Sequence, residues 1–159
     1  MNVENNMTTT IFSKLFAGIS FLLLLAGLAG CAAPQSTPVP IEGTEREQFL
    51  LKAEPLADNL FQAMKTKDYS AFSKDFDNAM LKAMPETGFA QMMSSIDPKI
   101  GSYQSRQIAK VEKVGSYVAV TYTAKYELEE AVTWRLVLTP SDPPQLSGIW
   151  YDSPKLRTK

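Results

Sequence analysis

The sequence predicts an α+β domain, with N-terminal helices packed on a four-stranded antiparallel sheet. Two patterns predict it. Between residues 44 and 100, apolar residues recur at three- and four-residue steps, the period of a helix with one buried face. After residue 102 they alternate at period two and are broken by short polar turns, the pattern of a meander with one apolar face. Helices gathered ahead of strands fit segregated layers rather than alternating βαβ units.

Thr44-Glu45-Arg46-Glu47 fits a capping box, with Thr44 as N-cap and Glu47 at N3. Phe49, Ala53, Leu56, Leu60 and Met64 then form one stripe. Pro55 leaves two readings: the helix kinks there, or the main helix begins with Pro55 at N1. Asp68 can cap a short helix through Tyr69, Phe72 and Ser73, and Asp75 or Asp77 can cap another through Ala79 to Met84 that Pro85 stops. Phe89, Met92, Met93 and Ile96 give a further helix, closed by Asp97-Pro98.

Tyr103 to Lys113 supplies the first strand and Val114-Gly115-Ser116 a turn. In Tyr117 to Leu128, Val118, Val120, Tyr122, Ala124 and Tyr126 share one face, and Ala119, Thr121, Thr123 and Lys125 share the other. Glu129-Glu130 turns the chain. Val132, Trp134, Leu136 and Leu138 alternate against Thr133, Arg135 and Thr139. Pro140 to Pro144 cannot be strand, and Leu146 to Tyr151 closes the sheet.

Ahead of the domain, an apolar run from Leu15 to Leu28 ends in Leu28-Ala29-Gly30-Cys31. This resembles the lipobox of prokaryotic lipoprotein precursors. Lys14 is the only base before the run, and a start at Met7 gives a cleaner leader than one at Met1. The run is shorter than the roughly 20 apolar residues of a membrane span. The resemblance implies cleavage between Gly30 and Cys31, a diacylglyceryl group on the Cys31 thiol and acylation of the new amino terminus. Two or more chains hold a protein stably on a membrane where one does not. It implies an exported chain, facing the cell surface or periplasm. Ala32 after the cysteine permits outer-membrane sorting in a Gram-negative cell. The expected organisation is a signal peptide over 1–30, a Pro-rich tether over 31–44 carrying Pro34, Pro38 and Pro40, a domain over 45–156 and a tail over 157–159.

Composition excludes several functions. The chain has 159 residues and a formal net charge of −1, without the basic surplus of a nucleic-acid binder. Cys31 is the sole cysteine, so a packed core rather than an internal disulfide must hold the domain. The chain has 0 histidines, which removes His-based acid–base catalysis, Ser-His-Asp and Cys-His nucleophiles and most zinc sites. No cofactor is expected beyond the acyl lipid on Cys31.

Lys67-Asp68-Tyr69-Ser70-Ala71-Phe72 with Asp75-Phe76, Gly101-Ser102-Tyr103, Tyr117 to Tyr122 and Gly148-Ile149-Trp150-Tyr151 resemble a prokaryotic domain of unknown function in the nuclear transport factor 2-like (cystatin-like) superfamily. The resemblance implies a long first helix and a strongly curved sheet forming a cone with a pocket at its mouth. Enzymes of that superfamily use a pocket carboxylate or His with Tyr partners, for which Asp58, Asp75, Tyr103, Tyr122, Tyr126 and Asp152 are available here. None stands in an identifying spacing.

Tyr122, Tyr126 and Trp134 share the apolar faces of adjacent strands. With Trp150 they either line a ligand pocket or pack as core against the first helix. Thr121, Thr123, Thr133 and Arg135 form the other face, open to solvent or pairing two copies into a homodimer. The function expected is a membrane-anchored, non-catalytic module that binds a small apolar ligand or an envelope protein. The alternatives are a carboxylate/Tyr isomerase- or hydrolase-like enzyme and an envelope assembly protein.

Overall fold

A computed structural model describes residues 36–158. The signal peptide, the Gly30–Cys31 cleavage site and the lipidation at Cys31 lie outside the described residues. Among those described, no helix is long and apolar enough to cross a membrane.

The architecture is α+β. Strand β1 (Val39–Pro40) leads into helix α1 (Gly43–Thr66), followed by α2 (Tyr69–Ser73), α3 (Asn78–Ala83) and α4 (Glu86–Ile100). Then come β2 (Tyr103–Val114), β3 (Tyr117–Tyr126), β4 (Val132–Leu138), β5 (Leu146–Asp152) and a last helical turn, α5 (Pro154–Arg157). The sheet runs β1-β2-β3-β4-β5, every neighbouring pair is antiparallel, and it is not closed.

Five strands replace the four read from sequence. Val39 and Pro40 pair with Lys113 and Glu112, inside the segment read as a tether. Proline fits there because β1 is an edge strand, where a missing N–H breaks no ladder. The Ile41 amide donates to the Val111 carbonyl at 2.9 Å, and the Ile41 side chain is buried. This strand also moves the helix start. Gly43, at φ 58°, takes the left-handed conformation that turns the chain into α1. Glu42 is therefore the N-cap, without a side-chain bond, and Thr44 lies inside the helix rather than capping it.

Pro55 neither starts nor ends α1, which is one 24-residue helix around it. Pro55 and Leu51, whose carbonyl loses its partner, both lie on the exposed face. The opposite face buries Leu50, Ala53, Ala57, Leu60, Phe61 and Met64. Asp68 caps α2 by accepting from the Ala71 amide at 3.1 Å, and Asp77 caps α3 by accepting from Met80 at 2.7 Å. Asp75 instead accepts from Asn59 on α1 at 3.1 Å. Helix α4 runs through Pro98 to Ile100 rather than closing at Asp97-Pro98. The Ser153 side chain caps α5, which takes in Arg157, the first residue of the segment read as a tail.

The core lies between these helices and one face of the sheet. Register shifts in the β2–β3 ladder between Tyr103 and Ser105, and between Ile108 and Lys110, re-aim the β2 side chains. Arg106, Ile108, Val111, Tyr122, Trp134 and Tyr151 consequently share the inner face. Directly paired residues project to the same side, so Lys110, Thr121, Arg135 and Trp150 share the outer face.

Candidate functional site

The aromatic set splits between the two faces. Tyr122, Tyr126 and Trp134 are buried on the inner face. Trp150 is 57% exposed on the outer face, with its partner Arg135. The four therefore do not line one pocket. The period-two rule separates them: Trp134 pairs with Tyr151, not with Trp150.

The inner aromatics pack against one another and against α1. Phe61 of α1 stacks on Tyr103 at 4.7 Å between centroids and meets Trp134 edge-on at 5.5 Å. Trp134 also packs on Tyr151 at 4.9 Å. Such geometries add to the burial of large rings.

Next to them sits an ionic cluster that the sequence did not announce. Arg106 on β2 reaches Glu54 at 3.0 Å and Asp58 at 2.7 Å, both on α1. Its guanidinium lies 5.3 Å from the Phe61 centroid and 5.2 Å from that of Tyr122. The Tyr122 hydroxyl donates to the other Glu54 oxygen at 2.7 Å. Burial, then the bond to the Glu54 carboxylate, pushes the Tyr122 phenol well above its ordinary range. Burial works against the charge of Arg106, but hydrogen bonds to Tyr103 and Asp58 and the attraction of Glu54 more than offset it. Both Glu54 oxygens are thus committed to fixed partners, an arrangement that staples α1 to the sheet. Among the other carboxylates named from sequence, Asp75 bonds Asn59, and Asp152 pairs with Arg157 on the surface.

A cavity of about 230 Å³ opens where the end of α1, α4 and the start of the sheet converge. Met64, Met93, Tyr103 and Tyr126 give it apolar walls. Lys65, Lys67, Asp97 and Glu127 stand around it, with Lys67 and Asp97 paired at 2.7 Å. Gly101 and Ser102 close one side. The Ser102 amide donates to the Glu127 carboxylate at 3.0 Å. Gly101, at φ 77°, leaves no room for a side chain, because a Cβ there would fall 2.9 Å from Glu127.

Two polar groups near this cavity lack partners among the described residues: the Tyr126 hydroxyl and the Trp134 indole N–H. They are neighbours without closing a hydrogen bond. Burial raises the Tyr126 phenol above its usual range, so it stays a neutral donor. An unmet buried donor costs about 1–3 kcal/mol.

Among the described residues, no group of three or more acidic or Cys side chains is placed to hold a metal ion. A family model described as "Protein of unknown function (DUF3887)" matches residues 57–139, more than half of the chain. No curated protein matches it. The matched stretch contains every residue of the cavity wall.

Proposed function

We propose that this chain, which belongs to the family of proteins of unknown function DUF3887, is a lipid-anchored extracytoplasmic module that binds a small molecule without transforming it. The ligand sits in the cavity at the end of α1. The observation that carries this reading is the cavity itself, walled by Met64, Met93, Tyr103 and Tyr126 and rimmed by Lys65, Lys67, Asp97 and Glu127. Such a space favours a compact ligand with an apolar body against the Met and Tyr side chains and a polar group at the charged rim. At about 230 Å³ it is smaller than most drug-sized sites, which suits a metabolite-sized molecule.

The anchor rests on Leu28-Ala29-Gly30-Cys31, the lipobox-like run. The order of elements, one long helix before short helices and an antiparallel sheet, supports a nuclear transport factor 2-like cone, and the β2 bulges supply curvature of the right kind. Binding is favoured over catalysis because the carboxylate nearest the aromatics, Glu54, is tied to Arg106 and Tyr122.

Mass spectrometry of the full chain, purified in detergent from its own host, tests both halves. A covalent lipid stays on the chain after denaturation, whereas a bound ligand leaves. Extra mass of both kinds is the expected result, with the ligand lost in Met93→Trp, which fills the cavity, and the lipid lost in Cys31→Ser. An apo mass under native conditions overturns the ligand. A mature Cys31 without acyl chains overturns the anchor.

A further inference from the structure

The outer face of the sheet carries a second, separate arrangement. Lys110, Thr121, Arg135 and Trp150 are paired in sequence across β2, β3, β4 and β5, forming one row. The adjacent row runs Glu112, Ala119, Val137, Gly148. Trp150 leans back onto that second row: a Cβ on Gly148 would lie 2.5 Å from the Cη2 and Cζ3 atoms of the indole. Glycine at 148 therefore lets the ring settle against the backbone, which anchors it while leaving 57% of the residue exposed.

Beside the ring, two cations share one carboxylate. Lys110 Nζ donates to Glu112 Oε1 at 2.9 Å, and Arg135 Nη1 donates to Glu112 Oε2 at 2.7 Å. Glu112 is buried, and these two hydrogen bonds hold its carboxyl below the usual range. The remaining guanidinium N–H groups of Arg135 donate to nothing among the described residues. With Glu112 counted, the two cations leave one positive charge in excess and spare guanidinium donors beside an exposed indole.

We propose that this face is a binding site for a carboxylated saccharide, a uronate ring in a larger glycan. The C–H face of a sugar ring carries slight positive charge and suits the negative face of an indole. Its carboxylate suits the free edge of the Arg135 guanidinium, which is shaped for two parallel hydrogen bonds. Glu112 positions Arg135 through their 2.7 Å hydrogen bond. This inference does not rest on the cavity, which lies between the helices and the start of the sheet.

The test titrates the full chain in detergent with tetragalacturonate and with a hyaluronan tetrasaccharide, reading tryptophan fluorescence. Trp134 is buried, so a change on binding reports Trp150. Saturable binding is expected, weakened roughly tenfold when the uronates are methyl-esterified, the loss of about one charge-assisted contact. Trp150→Ala, followed by calorimetry, should abolish binding while the protein stays folded, with the melting temperature lowered by far less than in Trp134→Ala because more than half of Trp150 is exposed. Arg135→Gln should remove the preference for acid over ester. The proposal is overturned by absence of saturable binding to either oligosaccharide, by equal affinity for acid and ester, or by unchanged affinity in Trp150→Ala. Equal binding of polyglutamate would reduce the site to bare charge attraction and overturns it too.

Discussion

Trp134→Ala tests whether the inner aromatics are core or pocket. The ring has no exposed surface and packs between Phe61 and Tyr151. Burying a tryptophan removes about 150–250 Å² from water, and about 25 cal/mol per Å² then gives roughly 4–6 kcal/mol. The substitution also deletes an indole N–H that has no partner, which returns part of that loss. A net destabilisation of about 3–5 kcal/mol follows, in the range measured for large-to-small core changes. For a domain of this size that lowers the melting temperature by roughly 10–20 °C. Thermal and urea melts of the full chain in detergent measure it. Trp134→Phe keeps an aromatic ring near Phe61 and drops the orphaned donor, so it should cost less than about 1.5 kcal/mol. A Trp134→Ala protein that melts within about 2 °C of the parent would place Trp134 outside the core, because only a surface ring can be deleted so cheaply.

Tyr122→Phe removes the 2.7 Å bond to Glu54 and should cost about 1–2 kcal/mol at neutral pH, the low end for a charge-assisted bond because Glu54 is partly exposed. The folded-state pKa of Tyr122 is raised, so its contribution is complete below its ordinary value of 10.0 and is lost as pH rises through the folded value. The parent should therefore lose stability faster than Tyr122→Phe in alkaline melts, and parallel pH profiles would contradict this. Glu112→Gln gives the opposite case. Its folded pKa is lowered, so the charged pairing stabilises above its ordinary 4.5 and fades as pH falls through the folded value. Chemical denaturation from pH 7 to pH 3 should show parent and variant converging on the acid side. Gly101→Ala should destabilise by about 1–3 kcal/mol, since the backbone there suits glycine alone and a Cβ meets Glu127; an unchanged melt would mean the α4–β2 connection relaxes freely.

Much of the fold was legible because it rests on local rules. Strand alternation placed Tyr122, Tyr126 and Trp134 on one face, and Asp68 and Asp77 cap the helices they precede. Three readings failed where a distant contact decided the outcome. Thr44 has the side chain of an N-cap, but pairing of the preceding residues with β2 made Glu42 the boundary. Val39-Pro40 has too little pattern to read as strand, since its pairing depends on the edge offered by β2 from about 70 residues away. Trp150 was grouped with the inner rings by residue type, whereas its register with Arg135 assigns it to the other face.

Arg106 was the least legible residue and shapes the interior most. A charge at an inner strand position reads as an interruption of the pattern, and nothing nearby in sequence explains it. Its partners Glu54 and Asp58 lie one turn apart on a helix 48 or more residues earlier, both reached by a single guanidinium at 3.0 and 2.7 Å. Removing Arg106 would leave Glu54 with only the Tyr122 bond beside apolar rings, and losing one member of a buried pair costs more than the pair contributes. Both acids are partly open to water, which lowers that cost, so Arg106→Met should destabilise by about 1–3 kcal/mol and Arg106→Met/Glu54→Met by less than the sum of the two single changes. The double-mutant cycle, read by urea denaturation, separates a staple from a ligand site: strict additivity would show that Arg106 and Glu54 do not hold one another, and would free Arg106 to meet a ligand instead.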